Sequence, residues 1–302
     1  MIKRILCFTN PAYLSLHLKQ LVVEQPQADK TEMIRHTIPI EDIGVMILEN
    51  QQITITQALM TALLDNNCAI ITCDFHHLPA GLLLPLDNHN LQSERFREQI
   101  NASEPLRKQM WQQTIVSKIM SQAYVLKQQN IEYRNMLMWA KSVRSGDTDN
   151  LEGRAAAYYW RNVFGDTDFV RGQFGDMPNG LLNYGYSIVR AMMARALVAA
   201  GLLPTLGIHH HSRYDAYCLA DDIMEPYRAY VDLQVLDMWN RYGEVAELSP
   251  ALKKELLSLS TIDVLIEGHR SPMMIAMQTT ANSVQRCFSG ESRKIIYPDW
   301  QV

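Results

Sequence analysis

Residues 179–210 read NGLLNYGYSIVRAMMARALVAAGLLPTLGIHH, with Leu182, Tyr186, Val189, Met193 and Ala196 three or four positions apart. Apolar side chains at that spacing line one face of a helix, so the segment predicts a long helix with a buried face. Upstream, Trp111, Ile115, Ile119, Ala123 and Leu126 repeat the pattern. Downstream, Ser249-Pro250 and Ser271-Pro272 place a capping hydroxyl before a proline suited to the first helical position, marking two further helix starts. Residues 91–302 therefore read as a helical domain.

The first 75 residues follow a different rhythm. Ile5–Phe8, Tyr13–Leu16, Leu21–Val23, Val45–Leu48 and Ala69–Thr72 are short apolar or alternating runs, broken by Asn10-Pro11, Pro26 and Gly44, and they read as strands. Leu59, Leu63 and Leu64 follow Thr56 at helical spacing and stop at Asn66-Asn67, which predicts one short helix over the sheet. Between them and the helical part, residues 76–90 crowd His76-His77, Pro79, Gly81, Pro85 and Asp87-Asn88 and read as a linker. The expected class is α+β: a small β-rich N-terminal domain followed by a larger all-α domain.

Of 302 residues, 47% are hydrophobic and 20% charged, enough apolar surface to exclude disorder as the main state. A net charge of −4 argues against a protein that coats nucleic acid by global positive charge. The five cysteines are an odd number without a CxxC pair, which fits a reducing cytoplasm and neither a disulfide framework nor a zinc ribbon. With no apolar run long enough to span a bilayer and no cleavable leader, the chain is expected to be soluble and cytoplasmic.

Charge is uneven along the chain. Residues 91–145 carry nine basic against four acidic side chains, Arg107, Lys108 and Lys118 among the former, whereas residues 205–232 carry five acidic against two basic. A basic stretch with an acidic cluster suits metal-dependent phosphodiester chemistry, since cations recruit the backbone and carboxylates hold the metal. Alone, the basic stretch reads first as a solvated helix face.

The acidic cluster lies in YCLADDIMEPYR, residues 217–228. Asp222 and Glu225, three apart, share a helix face, an expensive pairing unless a cation lies between them. Pro226 removes the amide that would bond the Asp222 carbonyl, so the helix should bend there. His210, fifteen residues before Glu225, is near enough in sequence for a short connection to bring imidazole and carboxylate together. A second element is LEGRAAAYYW, residues 151–160: Asp149-Asn150 caps a helix with Glu152 in its first turn, and small residues from Gly153 to Ala157 leave room for a close approach.

The words LEGRAAAYYW, NGLLNYGYSIVRAMMARALVAAGLLPTLGIHH and YCLADDIMEPYR, in this order and spacing, resemble the CRISPR adaptation integrase Cas-one (Cas1), most closely its type II form. The resemblance covers nearly the whole chain. It implies a metal-dependent DNA endonuclease and integrase of spacer acquisition, part of antiviral defence, with Mg²⁺ or Mn²⁺ held by Glu152, His210 and Glu225. Asp222 is left either as a further ligand or as a support for the others, and Arg154 is left between a phosphate contact and a cover for apolar neighbours. The resemblance also implies a homodimer formed through the β-rich domain, double-stranded prespacer and repeat DNA as substrates, assembly with the small Cas-two (Cas2) protein, and a role beside other type II Cas proteins. A plain metal-dependent nuclease and a non-catalytic DNA-binding scaffold are the competing readings.

Overall fold

The computed structural model describes residues 3–26, 33–75, 79–87, 89–165, 169–172, 177–243 and 247–302. Two compact units divide the chain, residues 1–90 and 91–302.

In the first unit, β1 (Arg4–Phe8), β5 (Ile43–Leu48) and β7 (Ala69–Cys73) run parallel, and β8 (Pro79–Leu83) joins β7 antiparallel at the edge. A second sheet has the order β4 (Met33–Pro39), β3 (Gln20–Pro26), β2 (Ala12–His17), β6 (Ile53–Ile55), with β3 antiparallel to both neighbours. Leu14 and Leu21 from one sheet, Ile43, Met46 and Ile70 from the other, and Leu59 and Leu63 from α1 (Gln57–Asp65) form one core. Thr56 caps α1 by accepting a hydrogen bond from the Leu59 amide, as its sequence indicates.

Three features depart from the sequence reading. Residues 76–90, expected to be linker, contribute strand β8; Pro79 and Gly81 mimic a loop, but an edge strand tolerates both. His76-His77 and Asn88 lie outside the described residues. Gly44 sits inside β5 instead of ending a run. The sequence does not mark strands β4 and β6, because β4 is an exposed edge without regular alternation and β6 has only three residues.

The second unit is built on α3 (Glu104–Gln128) and α6 (Asn179–Ala199), where every one of the repeating apolar side chains is buried. Around them pack α2 (Gln92–Ile100), α4 (Arg134–Ser142), α5 (Leu151–Asn162), α7 (Cys218–Met224), α8 (Arg228–Tyr242), α9 (Pro250–Leu256) and α10 (Met273–Phe288). It is not all-α: β9 (Asp263–Ile266) and β10 (His269–Pro272) form a hairpin. Ser271 therefore ends a strand instead of capping a helix, and Pro272 precedes α10 with no side-chain cap. Ser249 does cap α9, with Pro250 at its first position. No helix among the described residues is long and apolar enough to cross a membrane, and no disulfide joins the cysteines.

Gly185 lets α8 lie close to α6, since a Cβ there would stand 2.4 Å from Val231 Cγ1. Alanine ordinarily gains about 1 kcal/mol over glycine in a helix. Overpacking outweighs that gain here, so Gly185→Ala should lower urea stability by ~1–3 kcal/mol, with Val231→Ala in the same chain recovering most of the loss.

Candidate active site

Four segments of the second unit converge. The first is the start of α5. Asn150, in the left-handed region at φ 50°, accepts a hydrogen bond from the Gly153 amide through Oδ1. The Asp147 carboxylate accepts from the amides of Leu151 (3.0 Å) and Glu152 (2.9 Å). Two side chains thus satisfy the otherwise unpaired amides of the first turn and fix where Glu152 projects. The room at Gly153 is taken by this cap, because a Cβ there would lie 2.7 Å from Asn150 Oδ1.

The second and third are residues 207–211 and helix α7. Asp222 is fully buried and points at the turn: Oδ2 accepts from the amides of Ile208 (2.7 Å) and His209 (2.9 Å), and Oδ1 lies 2.5 Å from His210 Nδ1. Gly207 makes this possible, for a Cβ would stand 2.4 Å from the His210 carbonyl and 2.8 Å from Asp222 Oδ2. The hydrogen bond to Asp222 is the main reason that His210 has its pKa raised. With Nδ1–H donating to a carboxylate, Nε2 is the nitrogen left to bind a ligand. Trp111 completes the support, stacked parallel on His209 at 4.1 Å and edge-on to His210 at 5.5 Å. Burial against that ring lowers the His209 pKa.

Glu225 follows α7 in a single 3₁₀ turn, where Pro226 interrupts the α-helical ladder as expected. Its neighbours are not Asp222. Lys118 Nζ of α3, the fourth segment, lies 2.7 Å from Glu225 Oε2 and 2.6 Å from Glu152 Oε1, and Arg228 Nε lies 3.1 Å from Glu225 Oε1. Burial would push the Glu225 pKa up, but Arg228 and Lys118 together hold it below its ordinary value. Burial likewise opposes the charge on Lys118, and Glu225 and Glu152 overcome it, so its pKa is raised.

Behind these groups runs a buried polar chain. The Arg228 guanidinium lies over the Tyr186 ring at 4.7 Å, and Asp232 accepts hydrogen bonds from Tyr186 (2.5 Å) and Tyr159 (2.7 Å). Tyr159, Tyr186 and Asp232 belong to α5, α6 and α8, so one carboxylate ties together three helices.

The sequence-based candidates therefore separate. Glu152, His210 and Glu225 face one region, near enough for both carboxylates to act electrostatically on His210. Asp222 holds the turn that carries His210. Lys118, expected among DNA-backbone contacts, is buried between two carboxylates, because α3 turns that face inward. Lys108 pairs with Glu104 at 2.6 Å on the exposed face of α3, and the Arg154 guanidinium rests over Trp139 at 4.7 Å. Arg107 lines a cleft of about 390 Å³ with His210, His211 and Ser212. Asp147, Trp111 and Arg228 went unassigned in the sequence; only a conformational clue, an acidic residue a few positions before a capped helix, pointed to the first.

Among the described residues no three His, Cys, Asp or Glu side chains stand assembled as a metal cage. The donor set nevertheless fits a hard divalent cation: two carboxylates, an imidazole with its distal nitrogen available, and a monocation already lodged between the carboxylates.

A family model described as CRISPR associated protein Cas1 matches residues 5–247. The chain belongs to that family. It is 36% identical over 293 residues to a protein of Neisseria meningitidis serogroup C (strain 8013) named CRISPR-associated endonuclease Cas1, across 96% of this chain and 94% of the relative. A structure described as a casposase bound to integration product shares the fold, with a TM-score of 0.79 at 21% identity over 98% of this chain and 92% of that one. So does a chain of a Cas6-RT-Cas1–Cas2 complex, with a TM-score of 0.75 at 18% identity, where this chain spans 36% of the larger one. The mixed architecture, β-rich first and helical after, is that of the Cas1 fold.

The buried Asp232 has its pKa raised to about 6, chiefly by burial, against the hydrogen bonds of Tyr186 and Tyr159. A folded-state pKa above the unfolded one favours folding at low pH, and that contribution declines as pH rises from about 4 to about 6. The stability of wild type relative to Asp232→Asn should therefore fall across that window and level off above it, as urea midpoints at pH 4.5 and 7.5 would record.

Proposed function

We propose that this chain is a divalent-metal-dependent DNA integrase and endonuclease of CRISPR adaptation, joining the 3′-hydroxyl ends of prespacer DNA to the CRISPR repeat by transesterification. The observation that carries the proposal is the meeting of Glu152, Glu225 and the Asp222-anchored His210, the last lining a cleft with Arg107, in a chain whose family relative is named an endonuclease. Glu152, His210 and Glu225 would hold Mg²⁺ or Mn²⁺. Once bound, such a cation supplies charge stabilisation to the scissile phosphate and the departing oxygen.

The chain's own residues do the rest. The attacking hydroxyl belongs to the incoming DNA, so the protein needs no nucleophile of its own; it must position and neutralise. Asp147 and Asn150 fix Glu152, Asp222 fixes the tautomer of His210, and Arg228 orients Glu225. Arg107, which lines the cleft with His210, would meet a phosphate there. The casposase that shares this fold, bound to an integration product, favours joining over simple hydrolysis as the main reaction.

Assembly follows the same reading. We assign a homodimer, formed through the first unit, and a Cas2 partner, as in the Cas1–Cas2 complex that this fold matches. Support within the chain comes from edge strand β4, which exposes Met33 and Ile34. A cytoplasmic location is part of the proposal.

Two outcomes test it. Glu152→Ala, His210→Ala and Glu225→Ala should each stay folded yet lose metal-dependent joining of labelled prespacer to a repeat plasmid by at least ~100-fold, because each removes several kcal/mol of charge stabilisation. Cleavage without joining in the wild type would instead mark a nuclease, and joining at wild-type rates in any of the three variants would remove that residue from the site. Separately, Arg107→Ala should weaken binding of unrelated duplexes alike and reduce the salt dependence of binding by about one unit of slope. An unchanged slope would leave Arg107 an ordinary lining residue.

A further inference from the structure

Among the described residues, Lys118 is the one cation that touches both carboxylates expected to bind metal, at 2.6 Å from Glu152 and 2.7 Å from Glu225. Only 14% of its side chain is exposed, so it is no mobile surface lysine. Each oxygen of Glu225 faces a different cation, Oε2 the ammonium and Oε1 Arg228. The two cations are held differently. Arg228 is planar, lies over Tyr186 and pairs with Glu225. Lys118 carries its charge on an unbranched stem with rotatable donors, 2.7 Å from Glu225 Oε2. A divalent ion held by Glu152 and Glu225 would compete with that ammonium for the same carboxylates, whereas Arg228 faces the other oxygen of Glu225.

We propose that Lys118 is a tethered counter-ion: it holds Glu152 and Glu225 together until a divalent cation displaces it, and its charge then helps to hold the DNA phosphate. The inference rests on the metal-binding reading of Glu152, His210 and Glu225. Without metal, the carboxylates of Glu152, Asp222 and Glu225 outnumber the cations Lys118 and Arg228 by one when His210 is neutral. A divalent ion reverses that to a net of about +1, which favours a phosphodiester only while Lys118 stays close. Lys118 thus weakens metal binding in the free protein and strengthens DNA binding in the metal-loaded one. It is a positioning residue for metal and substrate together.

The test measures Mn²⁺ binding by electron paramagnetic resonance and calorimetry on the full chain, comparing wild type with Lys118→Met and Lys118→Gln. The glutamine variant keeps a polar group in case the methionine variant does not fold, which circular dichroism reports. Removing the competing ammonium should tighten Mn²⁺ about tenfold and enlarge the Mn²⁺-induced rise in melting temperature. In the same variants, the Mn²⁺-stimulated gain in affinity for a duplex of unrelated sequence should shrink by a similar factor. Equal or weaker Mn²⁺ binding in the folded variants, while His210→Ala abolishes binding in an otherwise wild-type chain, would overturn the counter-ion role and leave the metal site standing. Absence of Mn²⁺ binding in the wild type would overturn both.

Discussion

Negative charge in a protein interior is tolerated only where something answers it, and the second unit is arranged around that constraint. Asp147, Asp222, Glu225 and Asp232 are all buried, and each is answered differently. Asp147 meets helix amides, Asp222 meets turn amides and an imidazole, Glu225 meets two cations, and Asp232 meets two phenols. The groups answering Glu225 and Asp232 come from other helices and those answering Asp222 from a distant turn, so these three carboxylates also act as ties. Removing one leaves its partners stranded in a low dielectric, a cost well above the small net value of an exposed ion pair.

These ties explain why the site can be precise although two of its residues lie outside regular helix. His210 sits in a turn and Glu225 in a 3₁₀ segment. Such backbone has unpaired amides and few neighbours along its own chain. Asp222 supplies the missing acceptor for the turn, and Gly207 permits the close approach that lets one carboxylate reach successive amides and the ring. Pro226 forces the change of helix type that swings Glu225 away from Asp222 and toward α3.

The helical unit was legible in the sequence because the buried faces of α3 and α6 are long and periodic, and Thr56, Asn150 and Ser249 cap helices in the way their side chains imply. Strand β8 was not, because an edge strand needs neither alternation nor every amide, so proline and glycine there imitate a loop. At the site, Glu152, His210 and Glu225 were reached through matching words. The pairing of Asp222 with Glu225 followed helical spacing and was overridden by tertiary contacts: the turn claimed one carboxylate, and Lys118 with Arg228 claimed the other. Lys118 counted in the sequence as one basic residue among nine. Periodicity was enough to place it on α3, but which way α3 faced depended on helices far along the chain.

That last point bears on how the net charge of −4 fits a DNA-acting protein. The basic excess of residues 91–145 is not spent as one surface: Lys118 neutralises the interior, Lys108 pairs with Glu104, and Arg144 lies 3.6 Å from Asp149. That part of the positive charge is answered within the protein, and salt screens the remainder over a distance. On the proposed metal-binding reading, attraction would arise at short range, where a divalent ion added to a nearly balanced cluster would change its sign. The near-cancellation of the carboxylates by Lys118 and Arg228 would then make DNA binding conditional on that cation.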